Sequence, residues 1–382
     1  MKVAHLTTVD LSLRYLLLAQ LEAALEVGEA IGISAPGEFV ADLEEYGIRH
    51  IPLPSSTRGM DPVSDLKAAL ELWKILRREN IDILHTHNPK PGVYGRILGR
   101  LAGVPIVINT VHGLYATENS SWAKKGLVYT LEWVASRFSD TELIQNPEDL
   151  HLLTRLRIVS RHKLKLLGNG VDLKKFRRSN STREEVRSEL GVRDDQILTG
   201  LVARLVDEKG VPEVVEAAAR LDDRYVFVIA GPRDAQKADG VSDLVIREGE
   251  SAGVRFLGMR RDVDRLYSGM DIFVLPSHRE GFPRAAMEAA ASGLPVIATD
   301  IRGCRQVVRN GVNGILFPVG DVDALVSAVE RIGSNSDLRE SMGQASVQRA
   351  AAYFDEDKVV EIVMGAYREV AGRKGLGWPI SD

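Results

Sequence analysis

The chain repeats one pattern: a short, almost wholly apolar run, then a longer stretch whose apolar residues recur three and four positions apart. "KVAHLTTV" leads to "LLLAQLEAALEVG", "IDILHTH" to "GVYGRILGRLAG", and "VPIVINTVHG" to "LVYTLEWVASRF". Short β-rich runs of this kind read as strands, and the periodic stretches as amphipathic helices. Their alternation predicts parallel βαβ units. The pattern restarts after about residue 170 with "ILTGLVARL", "VPEVVEAAARL", "YVFVIAG", "GVRFLG", "DIFVLPS" and "PVIATD". The prediction is two doubly wound α/β domains, divided near "LLGNGVDLKKF", where Gly168, Asn169 and Gly170 supply turn geometry.

The last periodic stretch has apolar residues at Val359, Val360, Ile362, Val363, Ala366, Tyr367 and Val370. It predicts one more amphipathic helix, Phe354 to Val370, with no strand after it. The two halves resemble each other in pattern only, without a sequence repeat or a low-complexity tract.

Length supports the division, because 382 residues exceed what one hydrophobic core usually organises. A hydrophobic fraction of 45% and a charged fraction of 27% are those of a globular protein, which excludes disordered and fibrous classes. The net charge of -4 gives no basic footprint over the whole chain, so no nucleic-acid partner is expected. Cys304 is the single cysteine and cannot form an internal disulfide, which fits a reducing cytoplasm. "MKVAHLTTVD" is too short and polar for a signal peptide, and no run approaches the ~18 apolar residues that span a bilayer. A soluble protein, at most attached to a membrane, is expected.

In open parallel sheets ligands bind beyond the carboxyl ends of the strands, so the loops there are the first places to look for chemistry. After "ILTGLVARL" come Arg204 and, in "VDEKG", Lys209, just before a predicted helix near Val211. A cation at that end opposes the helix dipole unless an anion joins it. Either the two residues clamp a phosphate or diphosphate, or Lys209 pairs with Asp207 or Glu208 on a solvated loop. After "DIFVLPS", the stretch "HREGFPRAAMEAAASG" puts Glu280 beside Gly281, Phe282 and Pro283, with Pro283 suited to the first helical position. Glu288 follows among Ala285, Ala286, Met287, Ala289, Ala290 and Ala291. Such small residues predict close packing and a dry site, where a carboxylate needs donors. A ribose diol would supply two hydroxyls; backbone or an arginine would also serve.

Taken together, Arg204, Lys209, the two glutamates around Gly-Phe-Pro and "GNGVD" resemble the retaining GT-B glycosyltransferases of the family-four group, of the bacterial surface-glycan type. The resemblance runs the length of the chain and is most specific from Gly168 to Gly320. It implies two Rossmann-like domains facing across a cleft: residues 1–168 on the acceptor side, joined by a crossing helix of about 354–382, and 169–353 binding a nucleotide sugar. It also implies that Glu288 holds the ribose, that Glu280 contacts the donor sugar, and that Arg204 and Lys209 hold the diphosphate, with Gly281, Phe282 and Pro283 nearby. Gly258, Met259 and Arg260 in "FLGMRRDV" match the place of the base, and Gly303 in "IATDIRGCRQVV" lies in a loop near the diphosphate. His112 in "NTVHG" matches a histidine that faces the transferred sugar; a satisfied structural histidine is the alternative. His85 and His87 in "LHTHNPKPG" project from another strand end as acceptor-side contacts, since the sequence offers no third ligand for a metal.

No metal or other cofactor is expected. Asp262 and Asp264 form an Asp-x-Asp pattern, yet Asp262 reads as a helix N-cap, and the spacing recurs at Asp321 and Asp323. Cys304 has no evident activating partner and reads as a packed residue. Two positions depart from the family pattern: "TTVDLSLRY" lacks the glycine-rich turn common after the first strand, leaving Asp10, Ser12 and Arg14 as acceptor-side candidates, and Gln306 stands where a glutamate is frequent.

The expected reaction is transfer of a sugar, with retention, from a nucleotide-diphosphate donor, UDP preferred, to a glycan or lipid-linked acceptor. An epimerase of the same fold and a catalytically silent nucleotide-sugar-binding subunit are the alternatives. Residues 151–180 hold nine Lys or Arg against one Asp, and "SSWAKKGLVYTLEWVASRF" mixes Trp122 and Trp133 with Lys124 and Lys125. These segments would suit an anionic membrane surface, or are a solvated linker and a core-facing helix.

Overall fold

A computed structural model describes residues 1–59, 61–87, 89–116, 120–233 and 240–379. The chain forms two compact units, one of Met1–Gly168 with the segment from Asp357 onward, the other Asn169–Glu356. In the first unit the strands are β1 (Lys2–Val9), β2 (Glu29–Ala35), β3 (Arg49–Pro52), β4 (Ile83–Thr86), β5 (Ile106–Val111), β6 (Thr141–Ile144) and β7 (Leu164–Leu166). They pair in parallel in the order β3-β2-β1-β4-β5-β6-β7. The second unit has β8 (Ile197–Val202), β9 (Tyr225–Ala230), β10 (Arg255–Gly258), β11 (Ile272–Leu275), β12 (Val296–Thr299) and β13 (Gly314–Phe317), parallel in the order β10-β9-β8-β11-β12-β13.

Both sheets reverse their winding once, between β1 and β4 and between β8 and β11. At such a switch point the flanking loops diverge and leave a crevice beyond the strand ends. The strands are apolar because helices cover both faces. One face of the first sheet packs Leu13, Leu21, Ile83 and Ile106 with Val363, Tyr367 and Val370 of the final helix, Glu356–Arg373. The other packs Leu6, Ile33, Leu72, Leu84 and Val107. In the second unit Leu198, Val214, Phe227, Phe273, Met287 and Ile297 belong to one continuous core.

Two local expectations are corrected. The helix read across "LLLAQLEAALEVG" is broken at Leu17, whose ψ of 0° separates Asp10–Leu16 from Leu18–Leu25. Moreover, β1 passes directly into Asp10–Leu16, so Asp10, Ser12 and Arg14 lie on a helix rather than on a substrate loop.

Candidate functional site

The loops after β8, β11 and β12 meet around Glu280. After β8 the chain makes a 3-10 turn, Asp207–Lys209, ending at Gly210 with φ +73°, and the helix Val211–Arg220 starts there. A Cβ on Gly210 would lie 2.3 Å from the Pro276 carbonyl oxygen, so only glycine lets this turn sit against the loop after β11. The His278 amide donates to the Glu208 carbonyl at 2.8 Å, and Arg279 pairs with Glu208 at 3.1 Å. Lys209 Nζ donates to Glu280 Oε1 at 2.6 Å, and Ser277 Oγ donates to the same oxygen at 2.8 Å. Thus the anion that Lys209 requires is Glu280, not Asp207 or Glu208. Both bonds fall on Oε1, and the pair is largely withdrawn from solvent, with side chains 19% and 11% exposed. Arg204 is half-buried just beyond β8. From the β12 side, a Cβ on Gly303 would lie 2.5 Å from the Glu280 carbonyl oxygen, so Gly303 permits a backbone-to-backbone approach.

Glu288 is 8% exposed on the helix Arg284–Ala291, whose N-cap position is Pro283, so the helix begins one residue later than expected. Its carboxylate already has protein partners: Tyr267 Oη donates to Oε2 at 3.1 Å and Arg284 Nε to Oε1 at 3.0 Å. Burial, then the neighbouring carboxylate, raises the Tyr267 hydroxyl well above its ordinary pKa. Arg284 also reaches the Gly170 carbonyl at 3.3 Å, and Asn169 Nδ2 donates to the Phe282 carbonyl at 3.2 Å. "GNGVD" is therefore tied to the Gly-Phe-Pro turn.

Beyond β10, Gly258 has φ +64° and Met259 is exposed, while Arg260 is held by Asp262 at 2.8 Å and Glu189 at 2.8 Å. Asp262 occupies the N-cap position of Val263–Gly269, but its side chain makes no capping bond because Arg260 engages it. Asp321 does cap its helix, through the Ala324 amide at 2.9 Å. Cys304 is fully buried, and burial raises its thiol well above the ordinary value, so it is unreactive. Gln306 Nε2 donates to the Arg302 carbonyl within its own helix.

In the first unit, Asp10 accepts from the amides of Leu11 at 2.9 Å and Phe39 at 2.8 Å. Its carboxylate pins the loop after β2, Ser12 is buried beside it, and Arg14 lies 3.4 Å from Asp42 and over the rings of Tyr15 and Tyr46. His87 is corrected from an acceptor contact: it is 1% exposed, with Nε2 bonded to His5 Nδ1 and Nδ1 to His112 Nε2, each at 3.0 Å. His85 is equally buried, between Thr110 and Tyr367. The third imidazole absent from the sequence reading is His5, brought alongside by the pairing of β1 with β4. Burial lowers His5 to about 3 and His112 to about 4, the latter opposed by the Gln145 side chain.

His112 lines a cavity of about 550 Å³ whose walls include Val93, Tyr94, Leu114, Leu127 and Leu131. Under it runs a polar network the sequence did not reveal. Arg96, fully buried, meets Glu142 and Glu132 at 2.8 Å each, and Asn109 donates to Glu142 at 2.7 Å. The basic stretch 151–180 is divided between the two units. Lys163 donates to the carbonyls of Ser136 and Ser139, Lys165 pairs with Glu369, and the residues from Lys174 onward belong to the second unit. Trp122 is 88% exposed.

Two doubly wound units, with three strand-end loops of the second meeting at Lys209 and Glu280, fit a GT-B glycosyltransferase. Residues 28–175 match the model of Glycosyltransferase Family 4 and residues 182–349 that of Glycosyl transferases group 1, and the chain belongs to this family. An Escherichia coli UDP-Gal:alpha-D-GlcNAc-diphosphoundecaprenol alpha-1,3-galactosyltransferase is 32% identical over 77% of each chain. A Campylobacter jejuni N,N'-diacetylbacillosaminyl-diphospho-undecaprenol alpha-1,3-N-acetylgalactosaminyltransferase is 24% identical over 97% of this chain and 99% of its own. Sucrose-phosphate synthase of Thermosynechococcus elongatus superposes with a TM-score of 0.82 at 21% identity, covering 98% of this chain and 100% of that one. Anabaena HepE, solved in complex with UDP, gives 0.79 at 21% identity over 97% and 100%.

Proposed function

We propose that this glycosyltransferase moves a sugar, with retention of configuration, from a UDP-sugar to a lipid-linked acceptor at the inner face of a membrane, without a metal. The observation that carries the reading is the convergence of three strand-end loops on Glu280. In this reading Arg204, Lys209 and the amino end of Val211–Arg220 stabilise the charge that develops on the departing diphosphate. Glu280 Oε1 is committed to Lys209 and Ser277, and Oε2 accepts from a hydroxyl of the donor sugar. Glu288 adds the ribose hydroxyls to its bonds from Tyr267 and Arg284, and His112 meets the transferred sugar. The departing phosphate oxygen takes the acceptor's proton, so no separate base is required.

The choice of donor and acceptor follows the Escherichia coli and Campylobacter jejuni relatives, whose names specify diphosphoundecaprenol acceptors and alpha-1,3 linkages, and in the first case UDP-Gal. The apolar walls of the cavity beside His112 support an acceptor with a lipid portion. No helix among the described residues is long and apolar enough to cross a membrane, so attachment through Trp122, Trp133 and Lys124 on one helix is the form proposed.

The test is a thermal-shift screen of UDP, GDP and their sugars, followed by transfer to a polyprenyl-diphosphate sugar with and without EDTA. UDP at 100 times its dissociation constant is expected to add about 2.7 kcal/mol. An α-linked product unaffected by EDTA is also expected. Stabilisation by GDP alone, a β-linked product, loss with EDTA, or an epimerised donor without transfer each overturns the corresponding part.

A further inference from the structure

Thr110, Tyr367 and four histidines form one continuous file inside the first unit. His5 and His85 are partners in register across the β1–β4 switch point, His87 and His112 follow the ends of β4 and β5, and Tyr367 comes from Glu356–Arg373. Thr110 Oγ1 lies 2.7 Å from His85 Nε2, and His85 Nδ1 lies 2.7 Å from Tyr367 Oη. Tyr367 Oη is 3.1 Å from His5 Nε2, His5 Nδ1 is 3.0 Å from His87 Nε2, and His87 Nδ1 is 3.0 Å from His112 Nε2. All but His112 are 2% exposed or less.

A neutral imidazole has one N–H and one lone pair, so the direction of each link dictates the next. A hydroxyl can accept twice, but if Tyr367 accepted from both His85 and His5 its own buried proton would have no acceptor among the described residues, so two arrangements remain that satisfy all five links and use that proton. In one, every histidine carries its proton on Nδ1 and donation runs from Thr110 to His112. In the other, every proton is on Nε2 and donation runs back to Thr110. They differ in their consequence for Thr110. In the second its hydroxyl accepts from His85, and its own proton then needs an acceptor, which no other hydrogen bond among the described residues supplies. A buried donor left unsatisfied is costly, so the first arrangement wins.

We propose that this file fixes His112 as the neutral Nδ1–H tautomer, with Thr110, His85, Tyr367, His5 and His87 acting as positioning residues. Nε2 of His112 is then occupied by the His87 donor, and Nδ1–H is the hydrogen the ring offers to Gln145 or to a substrate hydroxyl. The catalytic consequence rests on the reading of His112 as the residue that meets the transferred sugar. A metal is the competing use of His5, His85 and His87, which lie within ligand reach of one another. However, all six of their nitrogens are engaged. The His5 and His87 rings are 11° from parallel with centroids 5.1 Å apart, so their bonded nitrogens point at each other. His85 lies over His87 at 4.1 Å. Lone pairs arranged this way do not converge on one ion, as coordination requires.

The experiment is nitrogen NMR of the full chain labelled with ¹⁵N-histidine at neutral pH, without substrate. Expected is Nδ1 protonation at His5, His85, His87 and His112, although histidine in water prefers Nε2–H. Nε2–H signals at His87 and His112 overturn the proposal. Tyr367→Phe removes the junction, and Thr110→Val, which keeps the side-chain shape, removes the first donor. Either is expected to return His112 toward Nε2–H, and an unchanged signal in both folded variants is refutation. Zinc(II) binding at one equivalent, abolished in His5→Ala, would establish the metal site instead. With donor and acceptor supplied, Thr110→Val is expected to lower kcat at least tenfold with KM unchanged. An altered tautomer at full kcat removes the catalytic role. Wild-type protein that shows these spectra but transfers no sugar refutes the proposed function and leaves the file standing.

Discussion

Replacing Lys209 by Met tests whether the Lys209–Glu280 pair is a brace or a working group. The substitution keeps the aliphatic stem and deletes a charge-assisted bond of 2.6 Å between side chains 19% and 11% exposed. Such bonds contribute about 1.5–3 kcal/mol, and the residual exposure argues for a value of about 2 kcal/mol. In a unit of this size each kcal/mol moves the melting temperature by about 2–4 °C, so a fall of about 4–8 °C is expected. The two units need not melt together, and the relevant transition is the one that UDP shifts. Glu280→Gln retains an acceptor for Lys209 and Ser277 and is expected to lower the midpoint by less. The stability losses in the double variant should fall short of the sum by about 1–2 kcal/mol, because the residues share one bond. Turnover, followed as release of nucleoside diphosphate, is expected to drop about 100-fold to 1000-fold in Lys209→Met, or about 2.7–4 kcal/mol of barrier. A variant that loses the expected stability yet turns over near the wild-type rate would show that the lysine only braces the loop, and the assignment would fail.

Glu288→Ala leaves Tyr267 Oη and Arg284 Nε without their carboxylate, which is expected to cost about 2–3 kcal/mol and to remove most of the UDP-induced thermal shift. A full nucleotide shift in this variant would mean that the ribose is held elsewhere. The buried imidazoles also make stability depend on pH in a defined direction. His5 is lowered to about 3 in the fold and has an ordinary value of 6.5, so below pH 6.5 the unfolded chain binds a proton that the fold refuses. Stability is therefore fully present above about pH 6.5 and falls by about 1.4 kcal/mol per pH unit for each such histidine until the folded value is reached. Urea midpoints measured from pH 7.5 to 5 should decline below pH 6.5; a flat profile would contradict burial in the neutral form.

Much of the fold was legible because buried parallel strands such as β5, β8 and β9 are continuous apolar runs between turn residues. β3, β7 and β13 were not: strands of three or four residues, such as "LKL", carry no period of their own and are defined by the neighbour they pair with. At the site, Arg204, Lys209, Glu280 and Glu288 stood out by position after strands. Their partners did not, since Lys209 and Glu280 are 71 residues apart, and Tyr267 meets Glu288 only through tertiary packing. His5 stood in plain view in "KVAHLTTV", but its meaning depends on β1 lying next to β4, 82 residues from His87. Arg96 gave no signal, because the partners that hold it fully inside, Glu142 and Glu132, lie 46 and 36 residues away.

The final helix has a consequence for how the protein is made. Val363, Tyr367 and Val370 complete the core of a unit whose first strand precedes the whole second unit in the chain, and Tyr367 bonds a histidine 362 positions earlier. On the ribosome, the opening domain therefore emerges with part of one side of its sheet uncovered and stays so while the whole second unit is translated. Since domains usually fold as they emerge, the second unit is expected to finish first. The first closes only when the returning helix docks, a long-range step that makes its folding the slower of the two.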